Sequence, residues 1–237
     1  MAKPKDKDRR AVLEQLKKEQ QRAEKRRTSI IITASAVVAL AIIAVPAYQL
    51  IRQEQAAAGD LETLGQSADA AGCQDVVTET AEGNNDHRQQ GQPVEYEQSP
   101  PAFGPHYDTT AEFSRKFYSA SDRPQIEFLV HNLEHGYNIL WYDETIADDA
   151  DQLAAVRAIS KQFEGNEMAD KFIAAPWTSE DGEPFPDGKH IALTHWSVGD
   201  GEEQVGVWQY CDAPSGEAVA QFAEDYPYSD SPEPAAM

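Results

Sequence analysis

The feature that most constrains this chain is an uncharged stretch near its N-terminus, Ser29 to Tyr48, which reads "SIIITASAVVALAIIAVPAY". At about 1.5 Å per helical residue, about 20 apolar residues cross a hydrocarbon core of about 30 Å. A cleaved signal peptide usually has a shorter apolar core of about 7–15 residues. We therefore predict an uncleaved transmembrane anchor over residues 29–51, with a cleaved signal as the alternative.

Charge is distributed very unevenly on the two sides of this stretch. Residues 1–28 carry eleven Lys and Arg against five Asp and Glu, whereas residues 53–237 carry 36 acidic and 8 basic side chains. The positive-inside rule predicts a single-pass protein of the cell membrane, with a cytoplasmic N-terminus and an extracytoplasmic C-terminal domain. So acidic a domain repels nucleic-acid phosphates, which excludes nucleic acid as a partner.

Composition divides the chain further. Residues near 53–72 are rich in Ala, Gln, Gly and Asp, as in a tether, and the end of the chain, "YPYSDSPEPAAM", is acidic and contains proline. We predict five parts: a basic cytoplasmic segment at 1–28, the anchor at 29–51, a linker at 52–72, an extracytoplasmic domain at 73–224 and a disordered acidic tail at 225–237.

Within the predicted domain, strand-like and helix-like segments alternate. "QIEFLVHNL" and "GYNILWYD" are rich in β-branched and aromatic residues and predict two strands that meet at Gly136. Apolar periodicity predicts a helix over 147–163, and a closing helix over 214–225 has Ser215 as a plausible N-cap. The segments "KFIAAPW", "HIALTHW" and "QVGVWQY" predict further strands. We therefore expect an α+β domain in which two helices pack on an antiparallel sheet.

The chain has only two cysteines, Cys73 and Cys211, and both follow the predicted anchor. Outside the cell, two thiols in one folded domain indicate a disulfide. A thiolate metal site is the alternative.

Two histidines four residues apart, His131 and His135, form the string HNLEH. It matches the H-x-x-E-H pattern of a class of zinc peptidases, in which the motif lies on a helix. Because a strand-like run precedes the motif and Gly136 follows it, we predict a strand end and turn instead. Both histidines then share one face of the strand, and Glu134 is either turned away or hydrogen-bonds one imidazole without binding the metal itself.

Two more histidines, His87 and His106, lie in the irregular region before the motif. Together with His131 and His135 they would form a set of four imidazoles, or of three imidazoles and a carboxylate, suited to Cu(II) or Zn(II). The alternative is that these histidines are buried, hydrogen-bonded braces of the fold. His190 and His195, five residues apart beside a predicted strand, are left out of the candidate site.

Several of these pieces together resemble a known family. Cys73, His87, "YEQSPPAFGPH" and "VHNLEHGYNILWY" are similar to the PPxxGPH and VHxLEHG motifs of an uncharacterised family of extracytoplasmic, often single-span actinobacterial proteins with a domain of unknown function. The resemblance covers about residues 73–212. It implies that His87, His106, His131 and His135 belong to the family's motifs, and it implies no activity. "WQYC" stands where a Gly-rich Cys segment is expected.

We expect a membrane-anchored, non-enzymatic module with a His-rich copper or zinc site. The alternative is an accessory subunit that docks its outer domain onto a larger membrane complex, such as a respiratory one, with structural histidines. A metal-dependent hydrolase that uses Glu134 is a third option. The sequence has no Ser-His-Asp order, phosphate loop or nucleotide fingerprint that would support another enzyme.

Overall fold

The computed structural model describes residues 59–81, 86–186, 188–199 and 203–236, and in the N-terminal part only residues 18, 22, 25–27 and 42. The chain forms two compact units, Met1–Arg52 and Gln53–Met237. Nearly all of the predicted basic segment and anchor lies outside the described residues. Among those that are described, no helix combines the length and the apolar character needed to cross a membrane.

The second unit contains seven described strands and four described α-helices. They follow one another as β1 Val77–Thr80, β2 His87–Arg88, β3 His106–Tyr107, α1 Ile126–Glu134, β4 Asn138–Tyr142, α2 Glu144–Asp148, α3 Ala150–Lys161, β5 Phe172–Pro176, β6 Ile191–Ser197, β7 Val205–Cys211 and α4 Gly216–Asp225. Short 3-10 turns lie at Leu61–Thr63 and Met168–Asp170.

Five strands form one sheet in the order β1-β7-β6-β4-β5, and β2 and β3 form a separate parallel pair. The α+β class is as predicted, but the sheet is mixed rather than antiparallel, because β4 and β5 run parallel. The chain leaves β4, passes through α2 and α3 and returns beside β4, which is the usual connection between parallel strands. The helix predicted over 147–163 is therefore two helices, and Asp149 caps the second by accepting from the backbone N–H groups of Asp151 and Gln152.

The sheet has a hydrophobic core on each face. On one side, Ile139 and Trp141 of β4 pack with the apolar residues of α1. On the other side, Leu140 packs with α3 and α4, for example with Ile159 and Phe222. Alternate residues of β4 point to opposite cores, as expected for a strand that is covered on both faces.

Helix α1 corrects the prediction that "QIEFLVHNL" is a strand. Ile126, Leu129, Val130 and Leu133 recur at helical spacing, and all four are buried against the sheet. The helix ends before Gly136, whose φ of +89° favours glycine at this position. The strand prediction was wrong because β-branched and aromatic content was given more weight than this periodicity.

The folded part extends beyond the predicted boundaries at 73 and 224. Toward the N-terminus, the backbone N–H of Gly216 donates to the carbonyl of Leu64, and that of Gln66 donates to Pro214. Toward the C-terminus, Ser231 is 3% exposed and contacts made by residues 226–236 tie this segment to the domain. We call residues 226–236 the C-terminal segment. Its hydrogen bonds to the domain hold it in place despite its tail-like composition.

The structure also contains one disulfide, as predicted. It joins Cys73, which precedes β1, to Cys211 at the end of β7, across a sequence separation of 138 residues. The buried Cys211 lies in the core between the sheet and α3 and α4. The bridge therefore ties the segment before β1 to the end of β7, an interior strand of the sheet.

Candidate metal centre

Helix α1 contributes two side chains to one cluster. His131 and Glu134 are separated by three positions and share a helix face. The Nε2 atom of His131 lies 3.8 Å from Oε2 of Glu134. The side chain of Glu134 is completely buried, so it needs partners inside the protein.

The β2–β3 pair contributes two more side chains. His87 and His106 are direct partners in the parallel ladder, which places both imidazoles at the same level. Their Nε2 atoms lie 3.7 Å and 3.0 Å, respectively, from the same Oε2 atom of Glu134. Three imidazoles, two from the β2–β3 pair and one from α1, therefore converge on one carboxylate oxygen.

The four potential ligand atoms all lie within 4.8 Å of one another. A tetrahedral ion with Zn–N and Zn–O distances of about 2.0–2.2 Å has neighbouring ligands roughly 3.4 Å apart. The three distances from Glu134 to the histidines, between 3.0 and 3.8 Å, lie on both sides of that value. The cluster has the dimensions of a site for one metal ion.

The ring of His106 is held in one tautomer. Its Nδ1 lies 2.8 Å from the carbonyl oxygen of Gly104, and a carbonyl can only accept, so Nδ1 carries a proton. In a neutral ring, Nε2 then presents a lone pair to Glu134. Among the described residues, neither this Nε2 nor either carboxylate oxygen of Glu134 has a hydrogen-bond partner. Two such acceptors 3.0 Å apart repel each other unless a proton or a metal cation lies between them.

The protonation states of His131 and Glu134 favour the binding of a cation. Burial, with the neighbouring His135, His106 and His87, lowers the pKa of His131 to about 4. Burial by itself raises the pKa of Glu134, but contact with His106 and the proximity of His131 and His87 outweigh it and hold the pKa below its usual range. At neutral pH the cluster therefore offers a carboxylate and an unprotonated imidazole, the forms that ligate metals.

His87 is the solvent-facing member of the cluster. Its side chain is 40% exposed, whereas those of His106, His131 and Glu134 are between 0 and 8% exposed. Among these four residues, the cluster therefore meets solvent at His87.

His135 does not belong to this cluster. Its Nε2 lies 3.5 Å from Oε2 of Glu233 in the C-terminal segment, and His135, Glu134 and Glu233 form a second group of potential ligands. Of the four predicted histidines, the structure thus brings three together and places the fourth next to them. It also places Glu134 among the ligand atoms rather than outside them.

Four of the five motif residues, His131 to Glu134, lie on α1, and His135 follows directly at its C-cap, so the predicted strand end, which was the reason for setting aside a peptidase, was wrong. The arrangement nevertheless differs from the peptidase pattern, in which both histidines bind one zinc and the glutamate is the general base. Here Glu134 joins His131 in one group, and His135 contacts Glu233.

The remaining histidines lie elsewhere, as expected. Nδ1 of His190 is 2.7 Å from Oδ2 of Asp143. His195 is buried between the carbonyl oxygens of Tyr137 and Asp230.

The prediction from sequence placed Glu134 beside the ligands rather than among them, and it did not include Glu233. For Glu134 a signal was available, because a helical reading of the motif places it beside His131. For Glu233 no local pattern indicates a role, since its position depends on how the C-terminal segment folds back.

Comparison with known proteins identifies a family. The model of the family described as "Protein of unknown function (DUF3105)" matches residues 87–237. This range includes His87, the H-x-x-E-H motif and Glu233. Neither the curated proteins nor the solved structures give a match. Because the match covers more than half of the chain, this protein belongs to the DUF3105 family.

Proposed function

We propose that this protein is a membrane-anchored, extracytoplasmic module that binds Cu(II) or Zn(II) without catalysing a reaction. The observation that carries the proposal is the convergence of three Nε2 atoms, from His87, His106 and His131, on one buried oxygen of Glu134. Three imidazoles and one carboxylate are a donor set that either ion accepts.

The tautomer of His106 favours a metal ion over a purely structural cluster. In a brace, each buried imidazole nitrogen would be expected to have a hydrogen-bond partner. Instead, within the part of the chain that the structure describes, Nε2 of His106 and both oxygens of Glu134 are buried without one. Only a second proton on His106 would pair this Nε2 with Oε2 of Glu134, 3.0 Å away. A cation at this point satisfies Nε2 of His106 and Oε2 of Glu134.

The number of donors favours binding over hydrolysis. Catalytic zinc usually has three protein ligands and keeps a position for water, whereas four protein ligands close a tetrahedral site. This cluster supplies four. The exposed His87 gives the ion a route to solvent, which suits a module that takes up or passes on an ion.

The proposed location rests on the sequence. The basic residues before the apolar stretch favour a cytoplasmic N-terminus, and the net charge of −28 on residues 53–237 attracts cations to the outer domain.

A reporter fused after Met237 should be extracytoplasmic, and the full-length chain should stay with membranes during alkaline washing. Release of a shortened soluble protein would indicate a cleaved signal instead.

Calorimetric titration of the metal-stripped, full-length chain in detergent tests the metal site. We expect saturable binding of Zn(II) or Cu(II) at neutral pH and a rise in melting temperature, because a ligand that binds only the folded state stabilises it. Absence of both effects would contradict the proposal. It would favour the accessory-subunit hypothesis, in which the histidines brace the fold and the outer domain docks onto a membrane complex.

A further inference from the structure

We infer that the protein holds a second metal ion between Glu134, His135 and Glu233, and that the carboxylate of Glu134 bridges the two ions. This inference rests on the proposed function, because the bridge requires an ion at the first site. It assigns a role to His135 that the first site does not use.

The second group has the size of a metal site. One ligand atom from each of its three residues lies within 4.8 Å of the others, and Nε2 of His135 is 3.5 Å from Oε2 of Glu233. His135 is 7% exposed, and its Nδ1 has no hydrogen-bond partner among the described residues. The group therefore combines a buried imidazole with a buried carboxylate and one at the surface.

The two oxygens of Glu134 explain why one ion would leave the site incomplete. Oε2 is the atom on which the three histidines of the first cluster converge. Oε1 is equally buried and lacks a hydrogen-bond partner within the described part of the chain. An ionised carboxylate accepts on both oxygens. A second ion bound to Oε1 would therefore give this buried oxygen the partner that it lacks. Two-metal sites have ions about 3.5–4 Å apart, a separation that one bridging carboxylate spans.

The fold holds Glu233 in place through backbone contacts at the end of α1. The N–H of Glu233 donates to the carbonyl of Glu134 at 2.9 Å. The buried Nζ of Lys171 donates to the carbonyls of His135, Pro234 and Ala236 at 2.7–2.9 Å. These bonds join the C-terminal segment to the last turn of the helix that carries the bridging carboxylate.

The two sites differ in the number of protein donors and therefore in whether a coordination position stays open to water. The first has four protein donors, whereas the second has three, so an ion there keeps a coordination position for water. Glu233 is 48% exposed at its side chain, which puts that ion at the surface.

Titration of the metal-stripped, full-length chain with Cu(II), followed by equilibrium dialysis and electron paramagnetic resonance, tests the inference. We expect two ions per chain. The first equivalent should give the spectrum of an isolated Cu(II), and the second should add dipolar broadening and a half-field signal. Glu233→Ala and His135→Ala should each reduce the stoichiometry from two ions to one and abolish the coupling. Glu224→Ala, which removes an exposed carboxylate of α4, should change neither.

The outcomes separate the two proposals. Absence of any bound ion in the wild type, both in this titration and in parallel equilibrium dialysis against Zn(II), contradicts the proposed function itself. One ion per chain, unaffected by Glu233→Ala, leaves the first site standing and overturns the second. Two ions that persist in folded Glu233→Ala or His135→Ala, or that show no magnetic coupling, also overturn the inference. Thermal melting of each variant shows whether it is folded, and the exposed position of Glu233 makes its variant the less disruptive of the two.

Discussion

His87 lies directly opposite His106 in the parallel β2–β3 ladder, and this pair is separate from the five-stranded sheet. The other two donors, His131 and Glu134, belong to α1. The cluster therefore lies where a two-residue strand pair meets a helix. An ion bound there would join two parts of the chain that no sheet hydrogen bonds connect, so metal should stabilise this junction in particular.

Removing one buried imidazole should remove most of the metal affinity. His106→Ala and His131→Ala should each weaken Zn(II) or Cu(II) binding by more than the roughly 10–100-fold that loss of an outer hydrogen-bond partner costs. His190→Ala is the matched control, because His190 pairs with Asp143 outside the cluster. Calorimetric titration measures the affinities. Binding by His106→Ala that equals the wild type would contradict the assignment of His106 as a ligand.

The sequence predicted the three histidines of this cluster but not its fourth donor. Residue type and a stiff preceding loop were enough to select His87, His106 and His131. The identity of the fourth donor depended on the local conformation of α1, because a strand turns Glu134 away from His131 and a helix places it alongside. Because α1 was predicted as a strand, His135 was predicted as the fourth donor in place of Glu134.

The parallel pairing of β4 with β5 was also predictable in principle. A strand, a helical stretch and another strand in succession usually form a parallel unit, and α2 and α3 separate these two strands. The position of the C-terminal segment was not predictable. Its contacts are hydrogen bonds between groups distant in sequence, such as the bond that Lys171 Nζ donates to the carbonyl of Ala236, and these leave no periodic pattern.

Gly136 should be intolerant of a side chain. Its φ is +89°, and a Cβ atom would lie 2.2 Å from the carbonyl oxygen of Tyr228 in the C-terminal segment. Gly136→Ala should therefore cost more than the roughly 1–2 kcal/mol of left-handed backbone alone. Gly91→Ala is the matched control, since Gly91 has a similar φ of +85° with no atom within 4 Å of the added Cβ. Urea denaturation compares the two. Equal destabilisation would show that the C-terminal segment does not pack against Gly136.

Loss of the disulfide should destabilise the domain strongly. The bridge closes a loop of 138 residues, and removal of a native disulfide from a small domain typically costs about 2–5 kcal/mol. Cys73→Ser and Cys211→Ser should both lower the free energy of unfolding by about this amount, with the larger effect at the more deeply buried Cys211. A reductant should destabilise the wild type and leave both variants unchanged. Free thiols in protein taken from its native compartment would contradict the pairing.

The metal-free protein should lose stability as the pH falls from about 6.5 toward 4. Burial lowers the pKa of His131 to about 4 in the folded state, while an unfolded chain has a histidine pKa of about 6.5. Between these values the unfolded chain takes up a proton at this residue and the folded chain does not, so acid favours unfolding. His135 and His195 also have lowered pKa values because of burial and should contribute in the same direction. The glutamine in His131→Gln cannot titrate, so this variant should lose less of its free energy of unfolding as the pH falls, although some loss should remain. Urea denaturation in a chelator at several pH values between 7.5 and 4.5 measures both proteins, and identical slopes would show that His131 does not remain neutral in the fold.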